Sequence, residues 1–187
     1  MDFLSLTKTR RSVRSYSSDK VDRSSIEQCI ETARLSPSAC NSQPWSFVII
    51  DDTEYLQKLA KLTTLPPSNI NRFVKTSPAV VALVTERPNI SASVGAAVKN
   101  KPYWLMDIGI AAEHFCLQAA EIGLGTCMLG WFDEKKVKKL LNIPKGKNLP
   151  LLITIGYPTN KQTEAKQPPY KKRKPLQDIV HYNGYTQ

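Results

Sequence analysis

The stretch Ser36-Pro37-Ser38-Ala39-Cys40-Asn41-Ser42-Gln43-Pro44-Trp45, taken with Arg10-Arg11-Ser12-Val13-Arg14 near the amino terminus, decides how this chain is read. The upstream segment sets three guanidinium groups and a hydroxyl within five residues. Planar guanidinium groups bind phosphate and carbonyl oxygens through charge-assisted, often bidentate hydrogen bonds, which suits a nucleotide cofactor. The downstream segment is small, polar and stiffened by two prolines, just ahead of an apolar run. Its backbone can lie close against a flat ligand. Alone, the basic run would read as a solvated face; the pair, at this separation, reads as a site.

Working outward, 187 residues with 41% hydrophobic content suffice for one sizeable domain, 1–187, without low-complexity linker or internal repeat. No apolar run approaches the roughly 20 residues that span a bilayer. Asp2, Asp19, Asp22 and Glu27 interrupt any signal-peptide core, so a cytoplasmic location is expected. Cys29, Cys40, Cys116 and Cys127 show no pairing pattern and read as reduced thiols, and neither His114 nor His181 lies at a recurrent ligand spacing, so no metal site is expected. A formal charge of +10 raises nucleic acid as a partner. The basic residues, however, fall in the amino-terminal segment, around Lys135 to Lys139 and in Lys171-Lys172-Arg173-Lys174, with no recognition motif or aromatic repeat between them. Nucleic acid is therefore set aside. No Gly-x-Ser-x-Gly, phosphate-loop or Rossmann glycine fingerprint is present, so a pyridine nucleotide would bind without a domain of its own.

Periodicity gives the elements. Ser24 to Leu35 carries Ile26, Cys29, Ile30 and Ala33 on one helical face, with Ser24 and Glu27 as a capping box. Phe47 to Ile50 reads as a strand, and Thr53 caps a helix bearing Leu56, Leu59 and Leu62. Ala79 to Val84 is a second strand, and Tyr103 to Ile122 a long buried helix stopped by Gly123. A third strand begins near Thr126, Asp133 caps a helix with Val137, Leu140 and Leu141, and Leu151 to Ile155 is a fourth strand. The pattern is an α+β layered domain with helices packed on a sheet. Residues 159 to 175 are polar, basic and proline-bearing, yet Leu176, Ile179 and Val180 beyond them are apolar enough to dock.

The Arg-x-Ser-x-Arg element and the Ser-Pro-Ser-x-x-Asn-x-Gln-Pro-Trp loop resemble those of the nitroreductase family of flavin mononucleotide (FMN) enzymes. Asp107-Ile108-Gly109, the run Gly123 to Phe132 and the run Leu152 to Pro158 agree, so the resemblance covers nearly the whole chain. It implies a three-layer α-β-α fold with a mainly antiparallel sheet, and a homodimer with active sites at the subunit interface. The carboxyl-terminal arm, 159–187, would be exchanged onto the partner subunit. It further implies that Arg10 and Ser12, with Arg11 alongside, contact the cofactor phosphate and ribityl chain, and that Arg14 stands at the pyrimidine edge of the flavin. Many relatives carry lysine there; arginine keeps the charge and changes the hydrogen-bond geometry. Asn69 and Arg72 occupy the place of a family Asn-x-x-Lys pair, and Lys171 and Arg173 match a Lys-x-Arg pattern, with Lys172 and Lys174 equally able to serve. Pro37, Ser38, Ala39 and Asn41 would pack on the ring from the other subunit. Met128, Leu129 and Gly130 would bring backbone close to flavin N5, with glycine where some relatives have glutamate. Tyr103 and Trp104 are either core anchors or a roof over the substrate.

The activity the resemblance implies is ping-pong hydride transfer from NAD(P)H to FMN and on to a nitroaromatic, a quinone or a similar small acceptor. No side chain need act as acid or base, because the cofactor carries the chemistry. Same-fold enzymes that dehalogenate aromatic rings, cleave flavin or oxidise heterocycles are the alternative, ranked ahead of a basic nucleic-acid-binding domain.

Overall fold

The computed structural model describes residues 2–65, 69–159 and 173–185. Six α-helices are described in chain order: α1 (Phe3–Thr9), α2 (Arg23–Arg34), α3 (Thr53–Thr63), α4 (Ile90–Lys99), α5 (Tyr103–Glu121) and α6 (Glu134–Leu140). The strands are β1 (Trp45–Ile50), β2 (Ala79–Thr85), β3 (Gly125–Leu129) and β4 (Leu151–Gly156). They form one antiparallel sheet in the order β1-β2-β4-β3, with Trp45 opposite Thr85, Ala79 opposite Ile155 and Gly125 opposite Gly156.

Alternation along the strands splits the core in two, because successive side chains leave a strand on opposite faces. Ala79, Val81 and Leu83 of β2 join Ile153 and Ile155 of β4 on the face covered by α2 and α5, where Ile26, Cys29, Ile108 and Phe115 are buried. Val80, Ala82 and Val84 join Leu152, Cys127 and Leu129 on the face covered by α3 and α6, where Leu59 and Val137 are fully buried. The result is the α+β domain with helices packed on a sheet that the sequence pattern calls for, in the three layers that the family resemblance implies. α5 lies deep because Ala111, Ala112 and Ala119 let it approach α2 and the sheet closely.

Two helix starts differ from expectation. α2 begins at Arg23 without a side-chain cap, so the Ser24/Glu27 capping box does not form. α3 is capped by Asp52, whose carboxylate accepts from the backbone N–H groups of Glu54 and Tyr55, leaving Thr53 as its first helical residue. Asp133 caps α6 as expected, accepting from Lys136 N–H at 3.1 Å. Among the described residues none of the four cysteines is in a disulfide. Burial pushes the thiols of Cys29 and Cys116 up to about 12, so both stay protonated in the core. Among the described residues no helix is long and apolar enough to cross a membrane. The expected arm lies mostly outside the described residues; in the part described, Leu176, Ile179 and Val180 are exposed on the single chain.

Candidate functional site

The basic amino-terminal segment is sewn to the edge of the sheet. Val13 N–H donates to Thr126 O at 2.8 Å, Ser12 bridges Thr126 in parallel, and Tyr16 bridges Pro158. The Tyr16 hydroxyl donates to Val13 O at 2.8 Å and shares a 2.7 Å hydrogen bond with Thr154 Oγ1, and burial raises its ionisation well above the ordinary range. Val13 is 2% exposed and seated on Gly125, where an added Cβ would stand 2.6 to 2.9 Å from the valine carbons. Only glycine admits that approach. With Val13 pinned inward, Arg14 projects outward and is exposed, its guanidinium carbon 5.9 Å from the Phe73 ring centroid.

Two clefts flank this segment. The larger, about 400 Å³, is lined by Arg14, Ile70, Asn71, Cys127, Met128, Leu129, Gly130 and Trp131. That volume lies within the usual range for small-molecule and cofactor sites. Nothing lies within 4 Å of where a Cβ on Gly130 would stand, so the backbone there faces open space. The smaller cleft, about 220 Å³, includes Arg10, Arg11, Gly123, Gly125 and Thr126. Arg10 is held by Glu113 of α5, Nε to Oε1 at 3.0 Å, which fixes one edge of its guanidinium.

The Ser36 to Trp45 loop is built separately, against α5. Asp107, 5% exposed, accepts from Ala39 N–H at 3.1 Å, and Ser38 Oγ accepts from Gln43 N–H at 2.9 Å. Asn89, just before α4, donates its side-chain amide to Cys40 O at 2.9 Å. Cys40, Asn41 and Gln43 all have positive φ, at 51°, 50° and 47°. Three such residues in one short loop hold a shape that the chain alone disfavours, of the kind that clusters at ligand sites. Ser36 Oγ is buried and has no hydrogen-bond partner among the described residues.

Of the residues singled out from sequence, the fold brings Arg14, Met128, Leu129 and Gly130 to one cleft and Arg10 and Arg11 to the other, with Ser12 between them on the sheet edge. Pro37, Ser38, Ala39 and Asn41 line neither cleft. Asn69 and Arg72 are exposed and also line neither; it is Asn71 that reaches in, 5% exposed, donating to Trp131 O at 2.7 Å and Thr63 O at 3.2 Å. Arg173 is exposed, and Lys171 lies outside the described residues. Sequence reading gave no role to Ile70, Asn71 or Trp131. The signal missed is a register one: two asparagines a single residue apart cannot be told apart by pattern when no regular element fixes which faces inward.

The nitroreductase family model matches residues 7–157. A provisionally named NADH dehydrogenase/NAD(P)H nitroreductase of Archaeoglobus fulgidus is 30% identical over 169 residues, covering 85% of this chain and 87% of that protein. Human iodotyrosine deiodinase 1 is 26% identical, covering 96% of this chain and 68% of that protein. The crystal structure of the nitroreductase family protein from Streptococcus pneumoniae TIGR4 superposes with a TM-score of 0.80 at 26% identity, covering 97% of this chain and all of that one.

Proposed function

The chain belongs to the nitroreductase family, and from that premise we propose that it is an FMN-dependent oxidoreductase drawing electrons from NAD(P)H and passing them to a nitroaromatic, quinone or similar acceptor. The observation that carries the reading is the clamp of Val13 on Gly125 and Thr126, which turns Arg14 toward the same cleft as the backbone of Met128 to Gly130. The donor set suits the cofactor. Arg10, Arg11 and Ser12 supply charge-assisted and hydroxyl hydrogen bonds for a phosphate, and bare backbone at Gly130 leaves room for a flat ring.

Bound FMN supplies the two-electron carrier between donor and acceptor. Glu113 pre-orients Arg10, so less side-chain freedom is lost when an anion is bound. Arg14, braced on Phe73, places a fixed cation beside the cleft and favours whichever state of a ring there carries more negative charge. The sheet-edge clamp keeps Ser12 and Arg14 in register with the backbone opposite them. Overall, one hydride from the dihydronicotinamide and one proton from solvent convert a quinone to its hydroquinone, or a nitro group to nitroso with loss of water.

We further propose a homodimer in which the Pro37, Ser38, Ala39 and Asn41 loop completes the partner's site. Two observations support this. The strained loop lines neither cleft of its own chain. Phe3 and Leu4 of α1, with Leu105, Met106 and Ile110 of α5, expose large apolar groups on two helices that pack together. Arm residues Lys171 and Arg173, and Asn69 and Arg72, remain candidates for the cofactor phosphate and carbonyls respectively. The test is Arg10→Ala combined with Ser12→Ala: FMN retention should fall steeply, since each charge-assisted bond lost is worth about 1.5 to 3 kcal/mol. Full flavin occupancy in that variant refutes the phosphate assignment.

A further inference from the structure

Resting on the flavin-reductase reading above, we propose that Trp131 is the acceptor platform of the site, its indole, with Ile70, receiving an electron-poor planar aromatic acceptor at the mouth of the cleft that Arg14 and Gly130 line. The chain leaves β3 through Gly130-Trp131-Phe132. Phe132 packs against the core under α3 and α6, while Trp131 remains 56% exposed on the cleft wall. A large aromatic left in water at a cleft rim is the form an interaction site takes, not the form core packing takes.

The platform is rigid. The Trp131 carbonyl accepts from the buried Asn71 amide at 2.7 Å, the same amide donates to Thr63 O at 3.2 Å, and Asp133 N–H donates to Leu62 O at 2.9 Å. Backbone immediately following the indole is thus tied to the carboxyl end of α3, so a ligand stacking there orders little main chain that is not already ordered. The surroundings select the ligand. Ile70, 61% exposed, adds apolar surface, Gly130 adds no side chain, and Arg14 supplies a cation for nitro or carbonyl oxygens. An electron-rich indole in a cleft that also carries a guanidinium is complementary to a flat ring that is electron-poor and rimmed with oxygens, which describes nitroarenes and quinones. Aliphatic or inorganic oxidants gain nothing from the indole.

The experiment uses the purified holoprotein and its Trp131→Phe, Trp131→Leu and Trp131→Ala variants, with Tyr55→Ala on α3, outside the cleft, as control. The visible flavin spectrum is recorded first. The dissociation constant of 4-nitrobenzoate is then measured by equilibrium dialysis against oxidised protein without electron donor, and kcat/KM is measured for 1,4-naphthoquinone and for ferricyanide. Trp131→Ala and Trp131→Leu should weaken 4-nitrobenzoate binding by about 2- to 12-fold, the range for loss of one aromatic pair, and Trp131→Phe should retain most of it. The naphthoquinone-to-ferricyanide ratio of kcat/KM should fall in parallel, through KM. Trp131→Leu equal to wild type, or flavin lost from Trp131→Ala, overturns the platform, the second result assigning the indole to the cofactor instead. A wild-type protein that binds no flavin overturns the underlying reading before any variant is compared.

Discussion

Gly125→Ala is the sharpest perturbation of the clamp that builds the site. The new methyl would stand 2.6 Å from Val13 Cγ2, 2.8 Å from Cβ and 2.9 Å from Cγ1, all closer than real carbon contacts allow. Val13 has little room to yield, being 2% exposed and hydrogen-bonded through its N–H to Thr126 O. Overpacking of this kind costs about 1 to 3 kcal/mol. For a chain of this size that is a fall of roughly 2 to 12 °C in Tm. Val13→Ala alone should cost about 1.5 to 3 kcal/mol through lost burial and a cavity. In the double variant the two Cγ contacts vanish but the Cβ contact stays, so relief should be partial, a coupling of about 0.5 to 2 kcal/mol. Urea denaturation of the flavin-free proteins at one concentration, compared at constant m, gives all three values. FMN affinity should fall with Gly125→Ala, because a displaced Val13 carries Ser12 and Arg14 with it. A Gly125→Ala protein as stable as the parent, or strictly additive effects, would refute the clamp.

Further expectations follow the same geometry. Arg14→Ala should lower the flavin midpoint potential by about 20 to 65 mV, the equivalent of losing roughly 1 to 3 kcal/mol of selective stabilisation in a two-electron couple, read by spectroelectrochemistry; an unchanged potential removes Arg14 from the role. Asp107→Ala should cost about 1 to 3 kcal/mol by leaving the Ala39 N–H without its buried acceptor, and should loosen the loop enough to expose it to limited proteolysis; protection equal to the parent would show that Asp107 is not its anchor. Because Cys29 and Cys116 are raised to about 12 when folded, the unfolded thiols ionise first, so stability is full below about pH 8.5 and falls as pH rises toward 12; Cys29→Ala should flatten that slope in pH-dependent denaturation, and no change in slope contradicts the burial argument. An Arg10→Glu chain and a Ser38→Arg chain, each inactive alone, should recover about half the activity as an isolated heterodimer, since a shared-site dimer then has one site free of both lesions; no recovery counts against the shared site.

The layers were legible from sequence because they rest on apolar periodicity: β2 and β4 alternate across two cores, and the small residues of α5 mark it as the central buried helix. Helix α1 was not legible, since it buries none of its residues, and α4 was missed because Ile90, Val94 and Val98 remain exposed and give no core-facing stripe to read. The start of α3 slipped by a residue because Asp52 outcompetes the neighbouring Thr53 as its cap. In the site, Arg14 and Gly130 could be named through the resemblance to family motifs, and the fold brings both to one cleft. Asn71 and Trp131 could not, because they are brought to the cleft by a tie through the Asn71 side-chain amide between the end of α3 and the residue after β3 that no local pattern announces.

The most direct test of the central claim is an anaerobic titration of the purified protein followed by its visible spectrum. The account predicts a yellow protein, or one that turns yellow on adding FMN, whose flavin bands bleach with about one equivalent of NADH or NADPH and return on adding 1,4-naphthoquinone. A colourless protein that takes up no FMN, or a bound flavin that neither pyridine nucleotide bleaches, would contradict it.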